Sequence, residues 1–142
     1  MKKILCATDG SHSAQKAVDF AIDMAKQLNA ELTFIHVVMK EGEEISQTYF
    51  WDSTVLNAAN DQIQMELHDA MERAEQSGLS PVYCSTVAGH NIAKAIIDYA
   101  EQNGHNHVVT GTVGRTGVSK ALLGSIAQQV VSKAHCPVTV VR

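Results

Sequence analysis

The chain has 142 residues, 45% hydrophobic and 18% charged, a length that suits one compact domain with a sizeable core. Eleven Lys and Arg against fifteen Asp and Glu leave a net charge of −4, which argues against a nonspecific nucleic-acid binder with a basic face. The apolar content also excludes a wholly disordered chain, and no apolar run reaches the length of a membrane span.

The opening MKKILCATD briefly imitates a signal peptide, but Asp9 ends the apolar stretch too soon. Residues 4–8 read as a first strand. Ala14, Ala17, Val18, Ala21, Ala25 and Leu28 then recur at three- and four-residue steps, which places them on one helix face. Ser11 or Ser13 is the expected cap. Residues 32–38 (LTFIHVV) form the second strand, followed by an acidic connection over residues 40–52.

A long helix is predicted over residues 53–77, with Leu56, Ala59, Ile63, Leu67, Ala70 and Ala74 inward and Gly78 as its stop. Residues 81–87 read as the third strand. Asn91 caps a helix running through Tyr99 and ending near Asn103-Gly104. Residues 107–110 make the fourth strand, and residues 125–134 a helix with Ile126, Val130 and Val131 inward. The closing strand runs from Pro137 to Val141 (PVTVV).

Five strands separated by helical crossovers imply a mainly parallel sheet covered on both faces, a single α/β domain. In such sheets ligands lie beyond the carboxyl ends of the strands, where strand order reverses. The loops after strands one, two and four are therefore where a site is expected.

The loop after the fourth strand carries the densest signal. Four of the nine glycines, Gly111, Gly114, Gly117 and Gly124, fall between residues 111 and 124. Gly111, Gly114 and Gly124 with Ser125 give the spacing G-x2-G-x9-G-S just ahead of a helix. Glycines let backbone N–H groups approach an anion without a Cβ in the way. The helix start adds unpaired N–H groups and a favourable dipole end, and the Ser125 hydroxyl adds a donor. Arg115 and Lys120 add positive charge to the segment. Glycines are ordinary in βα turns and Ser125 may be read as a plain cap; the ordered spacing favours phosphate binding.

This loop and its surroundings resemble the nucleotide-binding branch of the universal stress protein family, whose signature is G-x2-G-x9-G-[S/T]. The resemblance covers essentially residues 1–142. KKILCATDGS looks like that family's first strand and turn, FIHVV like its second strand, GHNIAKAI like its third helix entry, and LLGSIAQQVVSKAHCPVTVVR like its closing helix and strand.

The resemblance implies a Rossmann-like, adenine nucleotide alpha-hydrolase-like sheet in order 3-2-1-4-5, with ATP in the crevice between strands one and four. Ala7, Thr8 and Asp9 would sit near adenine and ribose, and Val37 would line the adenine pocket. Thr110 and Gly111 would approach the ribose, while Gly114, Gly124, Ser125 and the Ile126 backbone would hold phosphates. Mg2+ or Mn2+ would accompany the triphosphate. Antiparallel pairing of the strand from Pro137 to Val141 with its copy would give a homodimer. Val113 stands where the family often carries a basic or polar residue, Asn91 replaces a common Pro, and His107 replaces an acidic residue; none removes a phosphate donor.

Other constellations are thinner. Asp9 in an Asp-Gly-Ser turn has an ordinary capping explanation beside its ligand role. His105 and His107 would share a face in an extended chain, but further ligands are missing nearby, so no structural metal site is expected. The histidines are mostly read as surface or turn residues, with His36 a partly buried strand residue. Cys6, Cys84 and Cys136 form no C-x-x-C pair, and Cys6 and Cys84 are expected to be buried, inert thiols. Neither a Walker pattern nor G-x-G-x-x-G nor a G-x-S-x-G elbow is present. Tyr49, Phe50 and Trp51 are read first as a staple closing the core edge and second as a lid or partner patch.

The expected protein is therefore a reduced, cytoplasmic, soluble regulatory or stress-response protein that uses ATP mainly as a bound ligand, with at most slow hydrolysis. A nucleotide hydrolase or phosphotransferase, and a dimeric interaction module without nucleotide, stay as alternatives.

Overall fold

The computed structural model of the chain describes residues 2–9, 12–39, 53–112 and 123–142. Strand β1 (Lys3–Ala7) leads through helix α1 (His12–Leu28) to β2 (Glu31–Met39). Then follow α2 (Ser53–Gln76), β3 (Val82–Gly89), α3 (Ile92–Gln102), β4 (His107–Gly111), α4 (Ser125–Lys133) and β5 (Val138–Val141). The five strands form one sheet in the order β3-β2-β1-β4-β5, and every neighbouring pair is parallel. This is the α/β architecture expected from the sequence, in the strand order that the family resemblance implies.

Alternation along the strands divides the core into two layers. Ile4, Cys6, Leu32, Phe34 and Val109 face α1 and α2, meeting Ala17, Val18, Ala21 and Ala25 of one helix and Ile63, Leu67 and Ala70 of the other. Leu5, Ile35 and Val108 face the opposite way, against Ala93, Ile96 and Ala100 of α3 and Val130 of α4. Each fully buried Leu, Ile or Phe contributes roughly 1.5–3 kcal/mol. The alanine stripe of α1 has almost no side chain to separate helix from sheet.

Local signals set the helix ends. α1 turns out through Asn29 at φ 52°, and the Ala30 amide returns to the Ala25 carbonyl at 2.9 Å. Gly104, at φ 71°, closes α3 the same way, with the His105 amide donating to Ala100 O at 2.8 Å. These are left-handed stops that satisfy otherwise orphaned carbonyls. Asn91 caps α3 as expected, its side chain accepting from the Lys94 amide at 2.9 Å.

Several expectations are corrected. Leu28 is 45% exposed, because it is the last residue of α1, just before the chain turns away. Val131 is 48% exposed: neighbouring residues on a helix diverge by a wide angle, and Val130 takes the inward position. Cys84 is exposed because β3 is an edge strand; Cys6 is buried, and burial pushes its thiol well above the ordinary range. His105 is buried rather than at the surface. Ser13 falls inside α1, while Ser11 and the segment holding Tyr49, Phe50 and Trp51 lie outside the described residues. The side chains of Leu56 and Ala59 are likewise outside them. Among the described residues no helix is long and apolar enough to cross a membrane.

Candidate functional site

The site grows out of the strand order. β1 is central, with β2 on one side and β4 on the other, so the chain leaving β1 and the chain leaving β4 depart next to each other. Their divergence opens a cleft of about 330 Å³ at the carboxyl end of the sheet. Ala7, Thr8 and Asp9 form its floor at the end of β1, and Thr110, Gly111 and Thr112 its side at the end of β4. Val37 contributes from β2, and Gly124, Ser125 and Ile126 from the start of α4.

All the site residues expected from sequence that are described therefore meet in one cleft. Gly114, and with it Val113, lies outside the described residues. Ile92 and Ile96 of α3, Ile35 and His36 of β2, and Thr112 also line the cleft and were not foreseen. Ile96 is on the buried face of a helix remote in sequence from the glycine loop, and its periodicity reports burial without saying what it is buried against.

Two ends of the cleft differ in chemistry. Ile35, Val37, Ile92 and Ile96 make one wall apolar. At the other end α4 begins at Ser125 with Gly124, not Ser125, in the capping position, so the capping residue offers the helix no side-chain acceptor. The Gly124 amide donates to Thr112 O at 2.7 Å, which ties the helix start to the end of β4. The next amides, of Ser125, Ile126 and Ala127, open the helix, where its own geometry supplies no acceptors. A helix start of this kind favours an anion. Thr8, Thr110 and Thr112 are buried polar residues along the floor and side. The Thr8 amide donates to Ile35 O at 2.9 Å, joining floor to apolar wall.

Among the described lining residues the titratable side chains are Asp9 and His36. The described residues include no group of three or more His, Cys, Asp or Glu able to hold a metal ion. The arrangement can thus hold a molecule with a flat apolar part, a polar middle and an anionic end.

Known proteins share this architecture. The model of the universal stress protein family matches residues 1–142. Universal stress protein MJ0531 of Methanocaldococcus jannaschii is 33% identical over 142 residues, covering 99% of this chain and 82% of its own. The solved structure of universal stress protein UspA from Lactobacillus plantarum superposes with a TM-score of 0.77 at 27% identity, covering 99% and 97% of the two chains. A universal stress protein solved in complex with cAMP has the same fold, with a TM-score of 0.78 at 24% identity and 99% and 97% coverage. The chain belongs to the universal stress protein family.

Proposed function

We propose that this universal stress protein binds an adenine nucleotide, ATP, as a regulatory ligand, with at most slow hydrolysis. The observation that carries the reading is the polarity of the cleft: an apolar wall at one end and, at the other, a helix start with glycine in its capping position. Adenine lies against Val37 and Ala7 with Thr8 beside it. Asp9, Thr110 and Gly111 meet the ribose, and Gly114, Gly124, Ser125 and the Ile126 backbone meet the phosphates. The neighbour that was solved with cAMP supports an adenine ligand for this fold.

Mg2+ or Mn2+ accompanies the triphosphate in this reading. With no cluster of three acidic or imidazole ligands among the described residues, the phosphates themselves supply most of its coordination, with the Ser125 hydroxyl as a protein donor. Bound ATP acts by favouring one conformation or partner over another. The copy-to-copy contact we assign to the edge strand β5 extended through Pro137, pairing antiparallel in a cytoplasmic homodimer.

Calorimetric titration with ATP and Mg2+ tests the site. Saturable binding is expected, and a Gly124→Trp variant, whose side chain would fill the cleft beside the helix start, is expected to lose it. A folded wild-type protein that fails to bind at millimolar ATP removes the reading. Sedimentation at micromolar concentration is expected to give the dimer mass, and a monomer alone would remove the homodimer.

A further inference from the structure

Pairing along β2 changes near the cleft. Between Glu31 and Ile35 the strand is flanked by β1 and is thus held on that edge residue by residue, the last register pair being Ala7 with Ile35. The Thr8 amide bond to Ile35 O is the final tie on this side. From His36 to Met39 the strand continues with β3 as its remaining neighbour, in register from His36 with Thr86 to Met39 with Gly89. The cleft occupies the place that β1 has vacated. Among the described residues the end of β2 that lines it is therefore held on one edge, and it depends on what grips its faces.

The two faces are not equivalent. Ile35 and Val37 pack with the α3 and α4 cluster and line the cleft, whereas Phe34 and Val38 pack with the α1 and α2 cluster. Alternation sends the His36 side chain to the second face. There its Nδ1 lies 3.2 Å from Glu66 Oε2 of α2, with the two side chains 12% and 10% exposed. At this separation neither of the two facing atoms completes a hydrogen bond, so the contact is electrostatic, and removing one member leaves the other polar group largely buried without the group it faced. His36 is itself part of the cleft lining, and its contact with Glu66 lies on the side of β2 turned to α2.

We propose that the His36–Glu66 pair is a positioning device for the nucleotide site, pinning the one-edged end of β2 to α2 so that Val37 and Ile35 stay at the spacing from Ile92 and Ile96 that a flat ring fills. This rests on the adenine-nucleotide reading. Neither side chain of the pair contacts the ligand through its paired atoms; both act through the backbone of residues 35–37. The effect is confined to the base end, because the phosphate donors come from α4 and the end of β4.

The test uses three probes on the full chain: ATP with Mg2+, adenosine, and tripolyphosphate with Mg2+. His36→Gln, Glu66→Gln and the double variant keep approximate side-chain volume and remove the charge that each member can bring to the contact. Among folded variants, affinity for ATP and for adenosine is expected to fall together, by about fivefold or more. The double variant is expected to lose no more than either single one, as for two groups acting as a unit. Affinity for tripolyphosphate is expected to stay within about twofold. Unchanged adenosine affinity, or an equal loss for tripolyphosphate, would overturn the proposal, the second by showing general loosening. If the wild type binds none of the probes, the nucleotide reading itself fails and takes the proposal with it. A measurement on the unaltered protein covers variants that do not fold. The His36 ring nitrogen resonances are expected to move on saturation with adenosine and to stay in place with tripolyphosphate; no movement with saturating adenosine overturns the proposal.

Discussion

Each end of the sheet buries a histidine, and the two are treated differently. At the carboxyl end His36 stands 3.2 Å from Glu66, in a wall that opens on the cleft. At the amino end His105 is 3% exposed, neither ring nitrogen completes a hydrogen bond, and its nearest aromatic contact is Tyr99 with ring centroids 5.8 Å apart. Around it the backbone is tightly laced: Lys3 N donates to Asn106 Oδ1 at 2.8 Å, Asn106 N to Lys3 O at 2.8 Å, and Lys3 Nζ to Asn103 O at 2.7 Å. The His36 Nδ1 completes no hydrogen bond either, but it faces a carboxylate beside a loosely held strand; both ring nitrogens of His105 lack a hydrogen-bond partner among the described residues, inside a rigid frame. The end that lines the cleft sets its histidine against an acid, while the closed end covers its imidazole with an aromatic ring.

The largest effect that could break this contrast is expected at the paired end. Glu66→Ala leaves the His36 imidazole buried without its carboxylate, at a cost of about 2 kcal/mol in urea unfolding at pH 7. A change within experimental error would mean that the pair contributes nothing to holding β2. A smaller effect of opposite sign is expected at the other end. His105→Leu replaces an unsatisfied polar ring with an apolar side chain and is expected to stabilise the fold by about 1 kcal/mol at pH 7.

The same variant sharpens the contrast through pH. Burial first, then the nearby Lys3 charge, hold the His105 imidazole below its ordinary value of 6.5, with His135 adding a smaller push the same way. Glu31 and the approaching Ala100 carbonyl oppose them without prevailing. Burial lowers His107 as well, whose Nε2 meets Thr139 Oγ1 at 2.7 Å. A folded chain that takes up protons less readily than the unfolded chain loses stability as pH falls through 6.5 toward the lowered folded value, and holds it in full above 6.5. Unfolding free energy is therefore expected to decline between pH 7 and pH 5 in the wild type and to decline less steeply in His105→Leu. Parallel slopes would show that His105 is not the group that titrates.

Much of this was legible in the residues. The apolar runs marked all five strands, the alanine steps marked the buried face of α1, Gly78 and Gly104 marked helix ends through a positive φ that few other residues adopt as readily, and Asn91 marked a helix start through its side-chain acceptor. The glycine spacing and the strand ends pointed to the loops after β1 and β4 and to the start of α4, and the family resemblance carried the individual cleft residues there. Ile92, Ile96 and His36 were not, since an apolar or alternating pattern says that a side chain is covered and not which cavity it borders. Leu28, Val131 and Cys84 fail for a related reason. Periodicity assigns a direction, whereas exposure at a helix end or an edge strand depends on whether a neighbour extends that far. Gly124 in place of Ser125 as the cap is a shift of one residue that only the backbone angles reveal.

The central place of β1 has a consequence for how the molecule is made. Its pairing with β2 needs only the first β-α-β unit, so that half of its surroundings is complete early in synthesis. Its other neighbour is Val108 of β4, opposite Leu5, and that contact waits until most of the chain has emerged. Pairings so distant in sequence close slowly. The cleft, which needs the ends of both β1 and β4 together with the start of α4, comes into being last. A molecule that binds there stabilises the finished fold by mass action and has nothing to grip in a nascent or truncated chain.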